Sequence, residues 1–270
     1  MLHIATVHFG SERWIEIQLD HLRENVPVPY ETWTSLEGID PAHGAGFDHV
    51  LEQGGGHAGK LNHLAFEIAA QADDDDLLMF LDGDAFPIAD PTGLIDEGLG
   101  AAKLLAVRRE ENLGDRQPHP LFCVTTVGAW RALGGDWSAG YRWEDRLGRH
   151  VSDVGGNLLR QLELTGTPWK EVLRTNTRDI DPVFFAVYGG AIYHHGAGFR
   201  DAELTRLHHT LAPRPDPLPR SGPARALVRR RNQRRRARWE KETRRALLVE
   251  SERVYERIDA GGRGWLDELI

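Results

Sequence analysis

The chain has 270 residues, of which 40% are hydrophobic and 27% are charged, and its formal net charge is −8. These values are typical of a globular protein, and the single cysteine, Cys123, excludes an intramolecular disulfide framework and fits a reducing compartment. No apolar run reaches the roughly 18 residues that span a bilayer, and the N-terminus has no signal-peptide pattern, so we expect a cytoplasmic protein.

The N-terminal third of the chain alternates between strand and helix patterns. "HIATVHF" predicts a first strand, and Trp14 to Leu22 then place apolar side chains at helical spacing. "VPYETWTSL" predicts a second strand, and the glycine-rich "EQGGGHAGK" opens a second helix. That helix leads through the acidic turn Asp73 to Asp76 into the apolar run Leu77 to Leu81. This alternation predicts an α/β fold with a Rossmann-like, mostly parallel sheet flanked by helices.

The same pattern continues toward the C-terminus. "KLLAV" and "HPLFCVTTVGAW" predict two more strands, the second of which runs into a helix, and residues 153–164 predict another helix. "VFFAVYGGAIYHHGAGFR" combines a β-rich run with two histidines between glycines. A proline-rich stretch then predicts a stiff linker. We therefore expect one α/β domain at 1–212, a linker at 213–223 and a basic helical extension at 224–270.

Asp82 and Asp84 close the central apolar strand, with Gly83 between them. Alternate residues of an extended chain point the same way, so the two carboxylates would face one side at a separation of roughly 6 to 7 Å. Ligands bind at this edge of open α/β sheets, and Mg2+ is commonly held by one or two carboxylates together with substrate phosphates. The pair predicts a cation shared with a diphosphate, although Asp and Gly are also ordinary turn residues.

Four segments, in this order, resemble nucleotide-sugar-dependent glycosyltransferases of the GT-A fold. They are "HAGKLNHLAFEIAAQADDDDLLMFLDGDAFPIADP", "TTVGAWRALGGDWS", the Glu-Asp element "WEDRLGR", and "YHHGAG". The four segments lie between His57 and Gly198, and the resemblance as a whole covers about residues 3 to 200. The resemblance implies a metal-dependent enzyme that transfers a sugar from a nucleoside-diphosphate sugar to an acceptor hydroxyl, and it favours inversion at the sugar.

The resemblance also implies roles for particular residues. Asp84, with Asp82, would hold Mn2+ or Mg2+ on the donor diphosphate, and His194 or His195 would complete the metal shell. Only one of these histidines is expected to reach the metal, because neighbouring strand residues face opposite ways. Asp145 of the Glu-Asp element would take the proton from the acceptor hydroxyl. The nucleotide-sugar site would be formed by His8, Lys60, Asn62, Asp82 and Gly83.

Other interpretations of the acids and aromatic residues stay open. Asp153 precedes a glycine pair and a helix, so it rivals Asp145 as the base and equally fits a helix N-cap. Trp137 and Trp143, in a Gly-rich loop, are the best aromatic residues for binding an acceptor sugar, although aromatic side chains are mostly packing residues. The acceptor would be a saccharide, a lipid-linked molecule or another small molecule.

The nucleotide base of the donor is left open by the sequence. An acid that binds uridine often follows the second strand in such enzymes, and Glu37 and Asp40 are only weak matches. Both a UDP-sugar and a GDP-sugar therefore fit the pattern.

The C-terminal segment differs electrostatically from the rest of the chain. Between Arg220 and Arg245 there are eleven Arg and one Lys against two Glu, a net charge of +10, so that the other residues carry −18. A helix of this kind fits an anionic membrane surface, and thus peripheral association with the inner face of a membrane, or the acidic body of a homodimer mate. It also suits nucleic acid phosphates, but nothing else in the chain supports nucleic acid recognition.

Two alternative functions remain on the sequence alone. In the first, the Arg-rich helix of a nucleic-acid or scaffold-binding protein is the functional part and the α/β domain is inert. In the second, the chain is a nucleotidyltransferase, which would share the sheet and the metal. The second lacks the glycine-rich Arg/Lys loop that would follow the first strand.

Overall fold

The computed structural model describes residues 1–52, 54–196 and 204–270. Within these ranges the chain alternates between strands and helices, as the sequence pattern predicts. The strands are β1 (Leu2–Phe9), β2 (Tyr30–Glu37), β3 (His49–Leu51), β4 (Leu77–Asp82), β5 (Ala85–Pro87), β6 (Leu104–Val107), β7 (His119–Thr126), β8 (Trp143–Glu144), β9 (His150–Val151), β10 (Trp169–Val172), β11 (Ala186–Tyr188) and β12 (Ile192–His194). The helices are α1 (Ile15–Asn25), α2 (His57–Gln71), α3 (Thr92–Ala101), α4 (Val127–Leu133), α5 (Gly156–Thr165), α6 (Arg206–Leu211) and α7 (Pro223–Asp259).

A seven-stranded sheet forms the centre of the molecule, with strand order β10-β6-β7-β4-β1-β2-β3. Its pairings are parallel except those of β7, which runs antiparallel to both β4 and β6. Helices cover the sheet, and this architecture confirms the predicted fold class. Because β7 is reversed, its first residue lies at the same edge as the C-terminal ends of β4 and β6.

Both faces of the sheet are buried, which explains why β4 is a continuous apolar run. Met79 and Leu81 pack on one face with Leu22 of α1 and Ile95 of α3. Leu78 and the other residues of the opposite face pack against α2, α4 and α5. Burying each such side chain contributes roughly 1.5 to 3 kcal/mol to the free energy of unfolding. This packing fixes the position of β4, and therefore that of Asp82 at its end.

A small second sheet lies beside the end of β4, with strand order β11-β12-β5. In its antiparallel register Ala85 is opposite His194 and Phe86 is opposite Tyr193. This sheet brings the segment after Asp84 beside His194 and His195, although the two segments are more than 100 residues apart in sequence.

The C-terminal extension consists of two unlike parts. From Pro223 to about residue 246 most residues of α7 are exposed. The remainder joins a hydrophobic cluster with Trp14, Phe86 and Tyr193, to which it contributes Leu247, Val254, Ile258, Trp265, Leu266 and Leu269. The end of the chain therefore belongs to the packed body, and the core crosses the boundary expected at residues 213–223.

Across the described ranges, no helix combines the length and the apolar character that crossing a membrane requires.

Candidate active site

The two acids lie at a tight turn between strands β4 and β5. Asp82 ends β4, Gly83 and Asp84 form the turn, and β5 begins at Ala85. The chain does not remain extended through Asp84, which differs from the sequence-based expectation. Gln18 of α1 holds this turn, since its Nε2 donates to the carbonyl oxygens of Asp82 (2.9 Å) and Ala85 (2.7 Å).

His194 is brought to the acids by the pairing of β12 with β5. Its Nε2 lies 3.4 Å from Oδ1 of Asp84 and 3.8 Å from Oδ2 of Asp82. One ligand atom from each of these three residues lies within 4.8 Å of the other two. The backbone N–H of Gly196 also contacts the cluster, since it donates to Oδ2 of Asp84 at 3.1 Å. Gly198 of the "YHHGAG" motif lies outside the described residues.

His195 faces away from this cluster. Its Nε2 lies 2.8 Å from Oγ of Ser251 on α7, and its Nδ1 lies 3.0 Å from the hydroxyl of Tyr193. Its ring packs at 4.5 Å from that of Trp14, and burial lowers its pKa to about 3. Of the two histidines, His194 alone meets the acids, as the alternation along a strand requires.

The cluster is poised to carry negative charge. Burial favours the neutral form of Asp82, but Nε2 of His57 lies 3.1 Å from its Oδ1. This contact, together with the nearby His119 and His194, holds the pKa of Asp82 well below its usual range. Burial likewise opposes ionisation of Asp84, and His194 outweighs it, so that the pKa of Asp84 is also lowered. Both carboxylates are therefore ionised at neutral pH, as ligands of a cation must be.

The donor set fits a divalent cation. Two carboxylates and one imidazole combine the oxygen ligands preferred by Mg2+ and Mn2+ with a nitrogen ligand that Mn2+ and later metals accept. Three protein ligands are fewer than the roughly six positions of such an ion, which leaves room for water and phosphate oxygens.

The cluster forms part of the wall of a cavity of about 330 Å3. This size is within the range of small-molecule sites, and the cavity lies at the carboxyl ends of the parallel strands. On the β1 side its wall is apolar and on the β6 side it is polar. The lining residues are Val7, Phe9, His57, Asp82, Gly83, Asp84, Arg109, His119, Pro120, Asp153, Val154, His194 and Gly196.

Asp153 is an exposed residue on the wall of this cavity. Its Oδ1 accepts a hydrogen bond from the N–H of Val154 at 2.9 Å. Gly155 places it there: a Cβ at this position would lie 2.3 Å from the carbonyl oxygen of Pro118, and its φ is +85°. Only glycine allows the segment before α5 to lie so close to the start of β7.

Asp145 has a different environment. Its side chain is fully buried, Arg149 binds Oδ2 through Nε at 2.8 Å and Nη2 at 2.7 Å, and Oδ1 accepts from the N–H groups of Leu147 and Arg149. Burial opposes ionisation, yet these hydrogen bonds lower the pKa of Asp145. Asp145 organises the turn between β8 and β9 and is not on the cavity wall.

His8 and Gln18 support the acid turn from behind. His8 is fully buried, and its Nε2 lies 3.1 Å from Oε1 of Gln18. Burial lowers the pKa of His8 to about 4, so the ring is neutral at physiological pH. Its neighbours Val7 and Phe9 line the cavity, because alternate residues of β1 face that way.

Lys60 and Asn62 are placed by contacts within the protein. The Lys60 ammonium is buried, forms an ion pair with Glu37 at the end of β2, and lies 5.6 Å from the centre of the Phe9 ring. Asn62 bonds the loop before α5, since its Nδ2 donates to Asp136 at 2.7 Å and its Oδ1 accepts from the N–H of Trp137 at 2.8 Å. Neither residue is on the cavity wall.

Trp137 and Trp143 are both buried. Trp137 packs edge-on against Phe80 at 4.9 Å and beside Trp130 at 5.7 Å. Neither indole presents a ring face to solvent in this structure, so it shows no surface on which these two side chains would stack with an acceptor.

Three polar side chains on the cavity wall were not predicted from the sequence: His57, Arg109 and His119. His57 begins α2, directly after the glycine-rich stretch, and Arg109 follows β6 at the ligand-binding edge of the sheet. The positions of His57 and Arg109 near the ligand-binding edge could have been predicted from the sequence. His119 begins β7, and it reaches the site only because that strand runs antiparallel.

Comparison with solved structures finds similarity to glycosyltransferases at low identity. The galactosyltransferase LgtC, in complex with donor and acceptor sugar analogues, is 14% identical with a TM-score of 0.35, over 48% of this chain and 59% of that one. The glycosyltransferase GlyE of Streptococcus pneumoniae TIGR4 is 16% identical with a TM-score of 0.37, over 48% and 35%. The mannosyltransferase PcManGT of Pyrobaculum calidifontis, in complex with GDP-Man and Mn2+, is 15% identical with a TM-score of 0.36, over 51% and 47%.

The aligned part of the chain thus spans from about a third to three fifths of these structures. Scores of this size identify neither a family nor an activity. No protein-family model and no curated protein matches the chain.

Proposed function

We propose that this protein is a metal-dependent glycosyltransferase that moves a sugar from a nucleoside-diphosphate sugar to an acceptor hydroxyl. The observation that supports this most strongly is the convergence of Asp82, Asp84 and His194, from segments far apart in sequence, at the wall of a ligand-sized cavity. The GT-A resemblance of the sequence motifs supplies the reaction class.

Asp82, Asp84 and His194 would hold Mn2+ or Mg2+. When bound, such an ion neutralises charge on a leaving diphosphate. His57 orients Asp82 by its contact with Oδ1, and the N–H of Gly196 orients Asp84. These two groups keep the carboxylates in place before any ligand arrives.

Asp153 is the better of the two proposed bases. A general base must come within about 3 Å of the proton that it removes, and Asp153 is on the cavity wall with its carboxylate exposed. Asp145 is enclosed by Arg149 and two backbone N–H groups. A base on the cavity wall is consistent with single displacement and inversion, in which the hydroxyl attacks the sugar directly.

The nucleotide of the donor is proposed on the β1 side of the cavity. Val7 and Phe9 form an apolar wall there, and Phe9 is 49% exposed, so its ring has a free surface for a base. Lys60 and His8 stand behind this wall and shape it. UDP- and GDP-sugars both remain proposed donors.

The exposed basic part of α7 is proposed to bind an anionic membrane surface. Arg229, Arg230, Arg234, Arg238 and Arg244 have no ion-pair partner among the residues that the structure describes. Each cation near an anionic membrane contributes roughly 1 kcal/mol. This placement would give a lipid-linked acceptor access to the enzyme.

Release of nucleoside diphosphate from a panel of UDP- and GDP-sugars, with Mn2+ or with chelator, tests the enzymatic proposal. We expect turnover of one donor class that requires the metal. Asp84→Asn should lower it by roughly a hundredfold or more, since even outer-shell changes at metal sites cost up to that. Asp75→Asn, at an exposed turn acid, is the matched control and should leave turnover unchanged. Full turnover of Asp84→Asn would refute the proposal.

A further inference from the structure

Arg109 is a cation on the cavity wall whose environment in the described part of the chain lacks a neutralising carboxylate. It follows β6 and is half-buried, and within the described ranges no Asp or Glu lies at ion-pair distance from its guanidinium. Its neighbours in the same region are paired: Arg108 with Glu110 and Glu171, and Arg206 with Asp115. A half-buried guanidinium without an anion is costly unless a ligand supplies one.

His119 adds a second donor at the same point. The N–H of Leu121 lies 3.2 Å from Nδ1 of His119, and in the tautomer that accepts this hydrogen bond the ring carries its proton on Nε2. That Nε2 lies 3.3 Å from Nη1 of Arg109. A neutral imidazole has one acceptor nitrogen, so it cannot accept from both Leu121 and Arg109. When Nδ1 accepts from Leu121, two N–H donors face each other, and one oxygen atom of an anion can accept from both.

The pair lies across β4 from the wall proposed for the nucleotide. Arg109 and His119 come from β6 and β7, whereas the apolar wall proposed for the nucleotide comes from β1, on the other side of β4. Asp153, the proposed base, and His119 both line the cavity, and Gly155, two residues after Asp153, packs against Pro118, which precedes His119. This placement favours contact of Arg109 with the molecule whose hydroxyl Asp153 is proposed to deprotonate.

We infer that Arg109 and His119 form an oxyanion subsite, and that the acceptor carries a phosphate or carboxylate group close to its reactive hydroxyl. This inference rests on the proposed function and adds to it the class of acceptor. The planar guanidinium can donate to two oxygens of one phosphate or carboxylate, and the imidazole N–H can donate a third hydrogen bond to the same group.

Calorimetric titration of the full chain, saturated with Mg2+ and the nucleoside diphosphate that it binds, tests this subsite. The probes are glycerol 3-phosphate, glycerate and glycerol, which share hydroxyl groups and differ in their anion. We expect one or both anions to bind to this complex and glycerol not to bind. Arg109→Gln should weaken anion binding by roughly tenfold to a hundredfold, and Arg109→Lys by less, since Lys keeps the charge and loses the fork.

Arg160→Gln is the matched control, because this exposed arginine of α5 also has no ion-pair partner in the described part of the chain and is outside the cavity. It should bind the anions like the parent protein. Three results would overturn the inference: no binding of either anion, equal binding by Arg109→Gln, or displacement of the nucleotide by the anion, which would assign Arg109 to the donor. If no nucleoside diphosphate binds with metal, the proposed function itself fails, which is a separate result.

Discussion

Asp153 and Asp145 differ in what their carboxylates already bind. Asp145 accepts from Arg149 and from two backbone N–H groups in a buried turn, so its lone pairs are engaged. Among the described residues, Asp153 accepts only from the adjacent N–H of Val154, and it is exposed on the cavity wall. An acid that is already satisfied stabilises structure, whereas an acid with free lone pairs at a ligand site is available for proton transfer.

Replacement of each acid by asparagine should separate these roles. Asp153→Asn should lower kcat by roughly 10²- to 10⁴-fold with nucleotide affinity and stability unchanged, because a general base contributes that much. Asp145→Asn should instead lower the free energy of unfolding by about 1 to 3 kcal/mol, because the amide keeps only one acceptor oxygen and cannot satisfy both Arg149 and the two backbone N–H groups. Steady-state kinetics and urea denaturation measure both effects. Loss of turnover in a fully stable Asp145→Asn protein, with Asp153→Asn active, would reverse the assignment.

His8 should make stability depend on pH. Burial lowers its pKa to about 4 from the ordinary 6.5, so the folded protein keeps the ring neutral while the unfolded chain takes up a proton. The free energy of unfolding should therefore fall as the pH drops from 6.5 toward 4, by up to about 1.4 kcal/mol per pH unit. Urea denaturation at pH 7.5, 6.5 and 5.5 measures this slope. His8→Gln should be less stable but should show a shallower slope, and an unchanged slope would contradict this account.

At the residue scale, the two acids of the Asp82–Asp84–His194 cluster were predictable from the sequence, and the residues that contact them were predictable only in part. Asp82 and Asp84 stand out because they end an apolar run. The choice between His194 and His195 depends on the register of β12 against β5, which joins segments more than 100 residues apart. Lys60 and Asn62 have residue types that suit a ligand, yet in the structure they meet Glu37 and Asp136, and the local sequence does not show those contacts.

At the element scale, the start of α5 controls the position of the proposed base. Gly155 has a φ of +85°, and a Cβ there would lie 2.3 Å from the carbonyl oxygen of Pro118. Gly148 has a comparable φ of +70°, but no atom lies within 4 Å of the position of its Cβ. The two glycines thus share the backbone requirement and differ in the steric one.

Gly155→Ala should cost more stability than Gly148→Ala. In each variant the left-handed conformation of the alanine lowers the free energy of unfolding by roughly 1 to 2 kcal/mol. Gly155→Ala loses additional stability because β7 must move away from α5. That movement carries Asp153 with it, so kcat should fall as well. Denaturation and kinetics of the two variants check this, and equal losses of stability would show that the contact with Pro118 is unimportant.

The strands and helices themselves were largely predictable, because a sheet that is buried on both faces requires regular apolar patterns in its strands and in the helices that cover it. β1, β2, β4, β6, α2 and α7 are where the patterns place them. The reversal of β7 was not predictable, since its apolar pattern is the same in either direction. The short strands β3, β8 and β9 have too few residues to form a pattern at all.

At the scale of the whole molecule, α7 and the residues after it connect the C-terminus to the Asp82–Asp84–His194 cluster. Ser251 meets His195, whose neighbour His194 faces the acids, and Arg13 bonds Glu252 and packs 3.4 Å from the ring of Tyr255. The basic half of the same helix remains outside this contact. A composition shift at residue 213 revealed the linker, but composition does not reveal that a polar helix ends in a buried apolar segment.

Removal of residues 247–270 should prevent stable folding of the body. It removes six apolar side chains from the cluster with Trp14 and Phe86, and each contributes roughly 1.5 to 3 kcal/mol of burial, against a typical total stability of about 5 to 15 kcal/mol. Conversion of Arg229, Arg230 and Arg234 to Gln should leave the melting temperature unchanged. Circular dichroism melts compare the two proteins. A truncated chain that melts cooperatively at the parent temperature would show that the C-terminus is a separable extension.

The central claim is that Asp82, Asp84 and His194 hold a divalent cation that in turn binds a diphosphate. Calorimetric titration of the protein with UDP and with GDP, first with Mn2+ and then with chelator, tests it most directly. We predict that one nucleotide binds at least roughly a hundredfold more tightly with Mn2+, and that His194→Gln removes most of this difference while His195→Gln does not. Equal affinity with Mn2+ and with chelator would contradict the account.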